Sequence, residues 1–411
     1  MEWINKIKSV QWNYLFQRFS SVLADKFAGI ISNILLARIT SPDNFGIIIL
    51  VYSVADVVFS VFDFGLSGAT SIEFSKNPET QKGILVSSVK YKLFSIPLVL
   101  FVSWTVSFFL NQQVNIWIVL LIIFSEGLNS VIQIYLGLYF SNNDFKKLMV
   151  NTLTSRIVQI LIYILIIYYY PNIYLIFSAI LFQYFISLLL CINYAKKLDM
   201  KDSEIQISIS DIFNQYKYLG INRIFNSFFS RVDTFIISQL LNLKDLASYG
   251  VSMIFYRNFG LLSNSLATVY LPKYGTSFKQ NNERGIFHES LTASFITGLI
   301  SGLFVYAISE TAVRLLWGNS YADAVVLVKI FSLGIPFLFV RTTAGYFLNF
   351  MGKTKVNMIL SIGSFLISMF LNILLIPVFG IVISSVIAVT VSILNVGIML
   401  AVIFRYFHAV S

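Results

Sequence analysis

Charged and polar side chains recur in this sequence at helical spacing, inside stretches that are otherwise apolar. Tyr14, Arg18, Ser21, Asp25, Gly29 and Ser32 follow one another at intervals of three and four, which places them on one face of a helix. Tyr52, Asp56, Ser60, Asp63 and Ser67 form a second stripe carrying two carboxylates two turns apart. A third joins Arg223, Asn226, Ser227, Ser230 and Thr234, flanked by Arg231 and Asp233, with Phe225, Phe228, Val232 and Phe235 on the other side. Arg257, Asn264 and Thr268 align on one further helix and Glu126, Asn129, Ser130 and Gln133 on another, while Arg156, Lys329 and Arg341 add cations. The cations, with Lys26, outnumber Asp25, Asp56, Asp63, Glu126 and Asp233. An arginine surplus suits an anionic ligand, because the planar guanidinium donates two parallel hydrogen bonds to a phosphate.

The elements that must position these faces are membrane helices. The chain has 411 residues, 57% hydrophobic and 12% charged, against the roughly 25% charged content of soluble domains. Its mean hydropathy of +0.79 is sustained along the whole length, which leaves room for about twelve spans and no sizeable soluble domain. Ionisable groups in lipid are costly, so the polar faces must look into a bundle or a watery cleft. Three long uncharged runs read as helical hairpins: 93–125 with its turn at Asn111 to Gln113, 157–195 turning at Pro171-Asn172, and 356–404 turning at Pro377 to Gly380. Further spans are expected at about 12–37, 44–68, 214–241, 247–271, 290–310 and 323–350. Alternate loops hold Lys76, Lys82, Lys90 and Lys92; Lys146 and Lys147; Lys196, Lys197 and Lys201; Lys273, Lys279 and Arg284; and Lys353 and Lys355. By the positive-inside rule these loops and both termini are expected in the cytoplasm, with only Arg38, Lys244 and Arg314 opposite. The amino terminus does not read as a cleavable signal, since Arg18, Asp25 and Lys26 interrupt its apolar stretch.

The polar segment 199–212 is expected to link an amino-terminal six-helix bundle, 1–198, to a carboxy-terminal one, 213–411. The halves look related: Ser41-Pro-Asp-Asn-Phe-Gly46 leads into a helix, Asp245-Leu-Ala-Ser-Tyr-Gly250 does so 204 residues later, and Tyr52 and Leu36 match Tyr256 and Leu240. Several groups keep two readings. Arg156 and Lys329 either line the cleft or snorkel to the cytoplasmic surface. Arg18 with Asp25, and Arg231 with Asp233, are either ligand contacts or structural ion pairs. Tyr168 to Tyr170 read as an interfacial belt, and Pro97 and Pro336 as hinges or as tolerated helix residues.

Other chemistry is excluded. Cys191 is the single cysteine, so no metal cluster can be built from thiolates, and His288 and His408 both fall in or near cytoplasmic polar segments, which leaves no Ser-His-Asp arrangement. Gly352-Lys353-Thr354 lacks the earlier glycine of a phosphate loop, since that place is Phe347. The basic residues are scattered among loops, which argues against nucleic acid as a partner. A membrane glycosyltransferase or ligase would need a larger extramembrane lobe than these loops supply. A secondary transporter without an ATPase site is the stronger reading.

The segment Ile34-Leu-Leu-Ala-Arg-Ile-Thr-Ser-Pro-Asp-Asn-Phe-Gly46, after a polar first helix, resembles the polysaccharide exporters and O-antigen flippases of the multidrug/oligosaccharidyl-lipid/polysaccharide (MOP) superfamily. Its counterpart is Asp233-Thr-Phe-Ile-Ile-Ser-Gln-Leu-Leu-Asn-Leu-Lys-Asp-Leu-Ala-Ser-Tyr-Gly250. The resemblance implies an all-α, V-shaped pair of six-helix bundles around a cation-rich central cavity. It implies a flippase in the bacterial inner membrane that turns an undecaprenyl-pyrophosphate-linked oligosaccharide, an O-antigen, capsule or exopolysaccharide unit, to the periplasmic leaflet by alternating access. Membrane lipids surround it, and a polysaccharide polymerase and a chain-length regulator are the implied protein partners. Arg18, Lys26, Arg223, Arg231 and Arg257 become candidates for the pyrophosphate, with Asn226 and Asn264 beside them for the glycan. Asp25, Asp56, Asp63, Glu126 and Asp233 either bind a coupling proton or sodium ion or pair with those cations; no catalytic residue, metal or other cofactor is expected. A lipid II flippase would carry two further helices. A multidrug exporter would favour an acid-rich cavity, and a major-facilitator carrier would show a basic signature where this chain reads Lys76-Asn-Pro-Glu-Thr-Gln-Lys82.

Overall fold

A computed structural model describes residues 20, 24–111, 115–142, 144–198, 200, 208–277 and 283–410. It is all-α among these residues. The helices are α1 (24–39), α2 (Pro42–Asp63), α3 (Leu66–Lys76), α4 (Gln81–Leu110), α5 (Ile116–Ser141), α6 (Phe145–Tyr169), α7 (Ile173–Lys196), α8 (Ile209–Gln215), α9 (Lys217–Leu240), α10 (Leu243–Ser277), α11 (Glu283–Leu316), α12 (Ala324–Phe350), α13 (Thr354–Phe379) and α14 (Val382–Val410). In lipid every backbone N–H and C=O must be satisfied within the segment, and a helix does this for any apolar sequence without prolines in unfavourable places. Among the described residues nine of these helices are long and apolar enough to cross a membrane. The chain is a multi-pass membrane protein.

The hairpin turns fall where short polar residues can cap a new helix. Asn115 accepts from the Trp117 amide at 2.9 Å and Asn172 from the Tyr174 amide at 2.8 Å, each satisfying an orphan N–H of α5 or α7. Pro377 is carried inside α13, which ends at Gly380 with φ 67°. The two motifs of the expected repeat each stand at a helix start: Pro42 begins α2 and Leu243 begins α10.

Two expectations are corrected. The second span is not one continuous helix: it stops at Asp63 and resumes at Leu66, with Phe64 and Gly65 at φ 40° and 74°. Lys90 and Lys92, expected in a cytoplasmic loop, lie inside α4, and Lys92 is buried. The reason is a partner: Lys92 reaches Asp63 on the broken helix, which removes the penalty that had argued for a loop.

The described residues form two compact units, one from Met1–Thr40 and Leu50–Phe228, the other from Ser41–Ile49 and Phe229–Ser411. α2 and α9 therefore contribute to both, and α8 belongs to the first. In that unit α3, α5 and α7 pack around Leu66, Phe74, Ile134, Leu138, Cys191 and Ile212. Ile212 anchors α8 in this cluster, while the Phe213 ring meets Phe64 and Tyr91 edge-on, with centroids 5.6 and 5.5 Å apart. Tyr216 donates to Glu73 on α3 and accepts from Lys76 at 3.3 Å. Burial and the nearby Glu73 carboxylate push the Tyr216 phenol up.

In the second unit α12 is central and packs on α10, α11 and α14. Helices in lipid gain little from hydrophobicity and associate through close packing of small residues. α11 supplies them along one buried stripe, Ser290, Ser294, Gly298 and Gly302. A Cβ on Gly298 would stand 2.8 Å from the Pro336 Cα, and one on Gly302 2.6 Å from the Ser332 carbonyl oxygen. Gly46 is explained in the same way, since a Cβ on it would meet the Leu243 carbonyl oxygen at 2.2 Å, whereas one on Gly250 would meet only the tip of the Ile49 side chain. Gly302→Ala should therefore destabilise the protein by about 1–3 kcal/mol, since backbone cannot step aside as a side-chain tip can. Thermal unfolding in detergent checks this, with Gly363→Ala, which meets nothing within 4 Å, as the control expected to be silent.

Candidate functional site

The first unit holds two buried polar networks. In one, Arg156 on α6 donates from Nε to Asp25 Oδ1 on α1 at 3.1 Å, and its Nη2 closes the same pair. Nη1 donates to Gln159 Oε1 at 2.8 Å and to Gln183 Oε1 on α7 at 3.1 Å. The guanidinium also lies 5.6 Å from the Tyr184 ring centroid, within cation–π range. Gln159 passes the network on, donating to the Tyr163 hydroxyl at 2.7 Å, which shares a hydrogen bond of 2.8 Å with Ser32. Each nitrogen of the guanidinium thus has an acceptor from α1, α6 or α7. Arg156 is tied to partners on α1, α6 and α7, with 12% of its side chain exposed.

The other network is built on the break between α2 and α3. Asp63 Oδ1 accepts from Lys92 Nζ, from the Ser67 hydroxyl at 2.7 Å and from the Ser67 amide at 3.3 Å. The amide contact satisfies one of the backbone N–H groups left open at the start of α3. Arg223 Nε on α9 stands 3.9 Å from Asp63 Oδ2. The backbone freed by the break is also provided for, since the Tyr91 hydroxyl donates to the Phe62 carbonyl at 2.8 Å. Gly220 is required here: a Cβ on it would lie 2.6 Å from the Phe64 carbonyl oxygen.

In the second unit Asp233 on α9 accepts from the Tyr249 hydroxyl on α10 and from Asn372 Nδ2 on α13, both at 2.9 Å. Asn372 is buried, and its Oδ1 has no hydrogen-bond partner. Arg257 donates to the Ser230 carbonyl at 2.8 Å, fixing its exposed side chain along α9. Arg341 lies over the Phe229 ring at 5.9 Å and Lys329 over Tyr306 at 5.6 Å.

Of the expected site residues, Asp63 meets Arg223, and Asp25 meets Arg156. Arg18 lies outside the described residues. Lys26 is exposed, and Arg231 and Asp56 are half-buried. Asn226 and Asn264 are exposed, and their amides bond within their own helices, to Asn222 at 3.2 Å and to the Gly260 carbonyl at 2.9 Å. Glu126 accepts from Asn129 at 3.1 Å one turn on. Gln159, Gln183, Tyr249 and Asn372 were missed as site residues. Gln159 could have been found, three residues after Arg156 on the same face, and Tyr249 sits inside the repeated motif. Gln183 and Asn372 stand alone in apolar runs and carry no such signal.

Residues 35–326 match the family of polysaccharide biosynthesis proteins. The capsular polysaccharide biosynthesis protein CapF of Staphylococcus aureus is 27% identical over 138 residues, which are 32% of this chain and 34% of CapF. That match spans about a third of the curated relative. The fold is similar to the lipid II flippase MurJ in an inward closed conformation, with a TM-score of 0.74 and 17% identity over 93% of this chain and 86% of MurJ. It is also similar to an outward-facing multidrug resistance MATE transporter of the MOP superfamily, with a TM-score of 0.68 and 9% identity over 96% and 94% of the two chains. The match over most of the length, on a fold of this kind, makes this chain a member of the polysaccharide biosynthesis protein family with the architecture of the MOP-superfamily transporters.

Proposed function

We propose that this protein is a flippase that moves an undecaprenyl-pyrophosphate-linked oligosaccharide from the cytoplasmic to the periplasmic leaflet of a bacterial inner membrane by alternating access. Membership of the polysaccharide biosynthesis family over residues 35–326 carries this reading. The buried and half-buried charges inside membrane helices support it, because such groups are retained where a polar solute passes. Arg223 and Arg257 are the cations best suited to the pyrophosphate: both side chains are exposed, and Arg257 is steadied from behind by the Ser230 carbonyl. Asp233 is the candidate for a coupling proton or sodium ion, since the Asn372 Oδ1 beside it is a buried oxygen without a donor. Polymerase and chain-length regulator would act on the product in the periplasm, and both termini would face the cytoplasm.

The test is deletion of the gene in its host, with the lipid-linked glycan measured on each leaflet. Accumulation on the cytoplasmic side is expected. Unchanged surface polysaccharide with lost resistance to cationic dyes would instead favour a multidrug exporter. Arg223→Ala and Arg257→Ala should each lower export by about tenfold or more at unchanged protein abundance, the loss that follows from removing one hydrogen bond to a charged group. Normal surface glycan in both would remove them from the substrate path.

A further inference from the structure

The break in the second span gathers three charges whose arrangement the transport reading does not use. Asp63 commits one oxygen, Oδ1, to Lys92 and Ser67. Its other oxygen, Oδ2, is buried and has no hydrogen-bond partner. Arg223 is the arginine that faces that oxygen: its Nε is 3.9 Å away, outside hydrogen-bond distance, and its side chain is 57% exposed. A buried ionised oxygen left without a donor is costly, and a guanidinium on a chain of rotatable bonds about an ångström too far is the donor within reach.

We propose that Asp63, held by Lys92, is a docking point for Arg223 that competes with the anionic group of the substrate. Arg223 has two positions, one donating to Asp63 Oδ2 and one turned outward to a phosphate. The proposal rests on the reading of Arg223 as a pyrophosphate contact and explains how that contact is kept weak enough to release its load. Only the side chain has to move. Gly220, one turn before Arg223, is pressed against the Phe64 carbonyl, and Phe213 packs on both Phe64 and Tyr91. The α9 backbone therefore keeps its distance from Asp63. Lys92 is a positioning residue: it occupies Oδ1 and keeps the carboxylate charged, which leaves Oδ2 as the acceptor offered to Arg223. A ligand that must displace an internal partner binds more weakly by the strength of that partner, and is released faster for the same reason.

The experiment measures binding to the purified full-length chain in detergent. Farnesyl pyrophosphate is the probe for a prenyl pyrophosphate, and inorganic pyrophosphate the probe for the headgroup alone. The double variant Asp63→Asn with Lys92→Met removes one charge of each sign, so the net charge is unchanged and no buried ion is left unpaired. It should bind farnesyl pyrophosphate about tenfold more tightly than the native chain. That gain should vanish when Arg223→Ala is added. Asp63→Glu, whose longer side chain reaches Arg223 directly, should shift affinity the other way, which keeps the proposal testable should the double variant not fold. A gain that persists without Arg223, or unchanged affinity in the folded variants alongside weakened binding in Arg223→Ala, overturns the docking point and leaves the transport reading standing. Equal probe binding by Arg223→Ala and the native chain removes Arg223 from the substrate path, and both fall. If inorganic pyrophosphate responds as farnesyl pyrophosphate does, the competition is for the headgroup, as proposed; a response confined to the prenylated probe places it at the lipid tail and counts against Arg223.

Discussion

Lys92→Met should destabilise the protein by about 3–5 kcal/mol, and adding Asp63→Asn to the same chain should restore most of that loss. The Lys92 and Asp63 side chains are 3% and 5% exposed, so each is almost wholly removed from water. Two such charges meeting in a bundle repay their desolvation only through each other, and a neutral pair of similar size performs about as well. Removing the cation alone leaves a buried carboxylate with the Ser67 contacts and Arg223 at 3.9 Å, none of which replaces an ammonium in direct contact. The thermal unfolding of both variants in detergent, with Asp63→Asn alone to complete the cycle, measures the coupling. Additive losses in the double variant would mean that the two charges act independently, and the account of the helix break given above would fail.

This pair also marks the limit of what the sequence discloses. The all-α, multi-pass character of the chain and the turns before α7 and after α13 follow from length and from the lack of any other structure that satisfies a backbone in lipid. They are legible without coordinates. The break at Phe64-Gly65 is not, because one glycine beside a polar stripe does not by itself end a helix in lipid, and the residue that packs against the break, Gly220, lies far along the chain. Lys92 was placed in a loop on its charge, and only the partner on α2 makes its burial tolerable. The charges themselves were legible: Asp25 on α1 and Asp63 on α2 each hold a cation on another helix. What spacing cannot state is which stripe meets which. Asp25 finds its cation 131 residues away, and Asp233 takes a donor from an asparagine, Asn372, 139 residues away in an uncharged span. Periodicity within a helix carries no information about such meetings. The candidate charges could therefore be named, while their partners, and with them most of the electrostatics, had to come from the packing.

Arg156→Met should cost about 3 kcal/mol, and Arg156→Lys should recover only part of it. Methionine replaces the apolar stem of the arginine and lacks its guanidinium, so the loss measures chiefly the head group. It removes both donors from Asp25 and leaves the Gln159 and Gln183 carbonyl oxygens without the guanidinium that joins them at 2.8 and 3.1 Å. Asp25 is 43% exposed, so water screens part of its lost interaction. The effect accordingly belongs near the lower end of what breaking a buried ion pair costs. Lysine returns the charge, but its ammonium is a point donor and cannot address a carboxylate and two amide oxygens on three helices at once. Thermal unfolding of the two variants in detergent separates the roles of charge and shape. A lysine variant as stable as the native chain would show that charge alone suffices, and the guanidinium fork joining α1, α6 and α7 would then have no part in holding the first unit together.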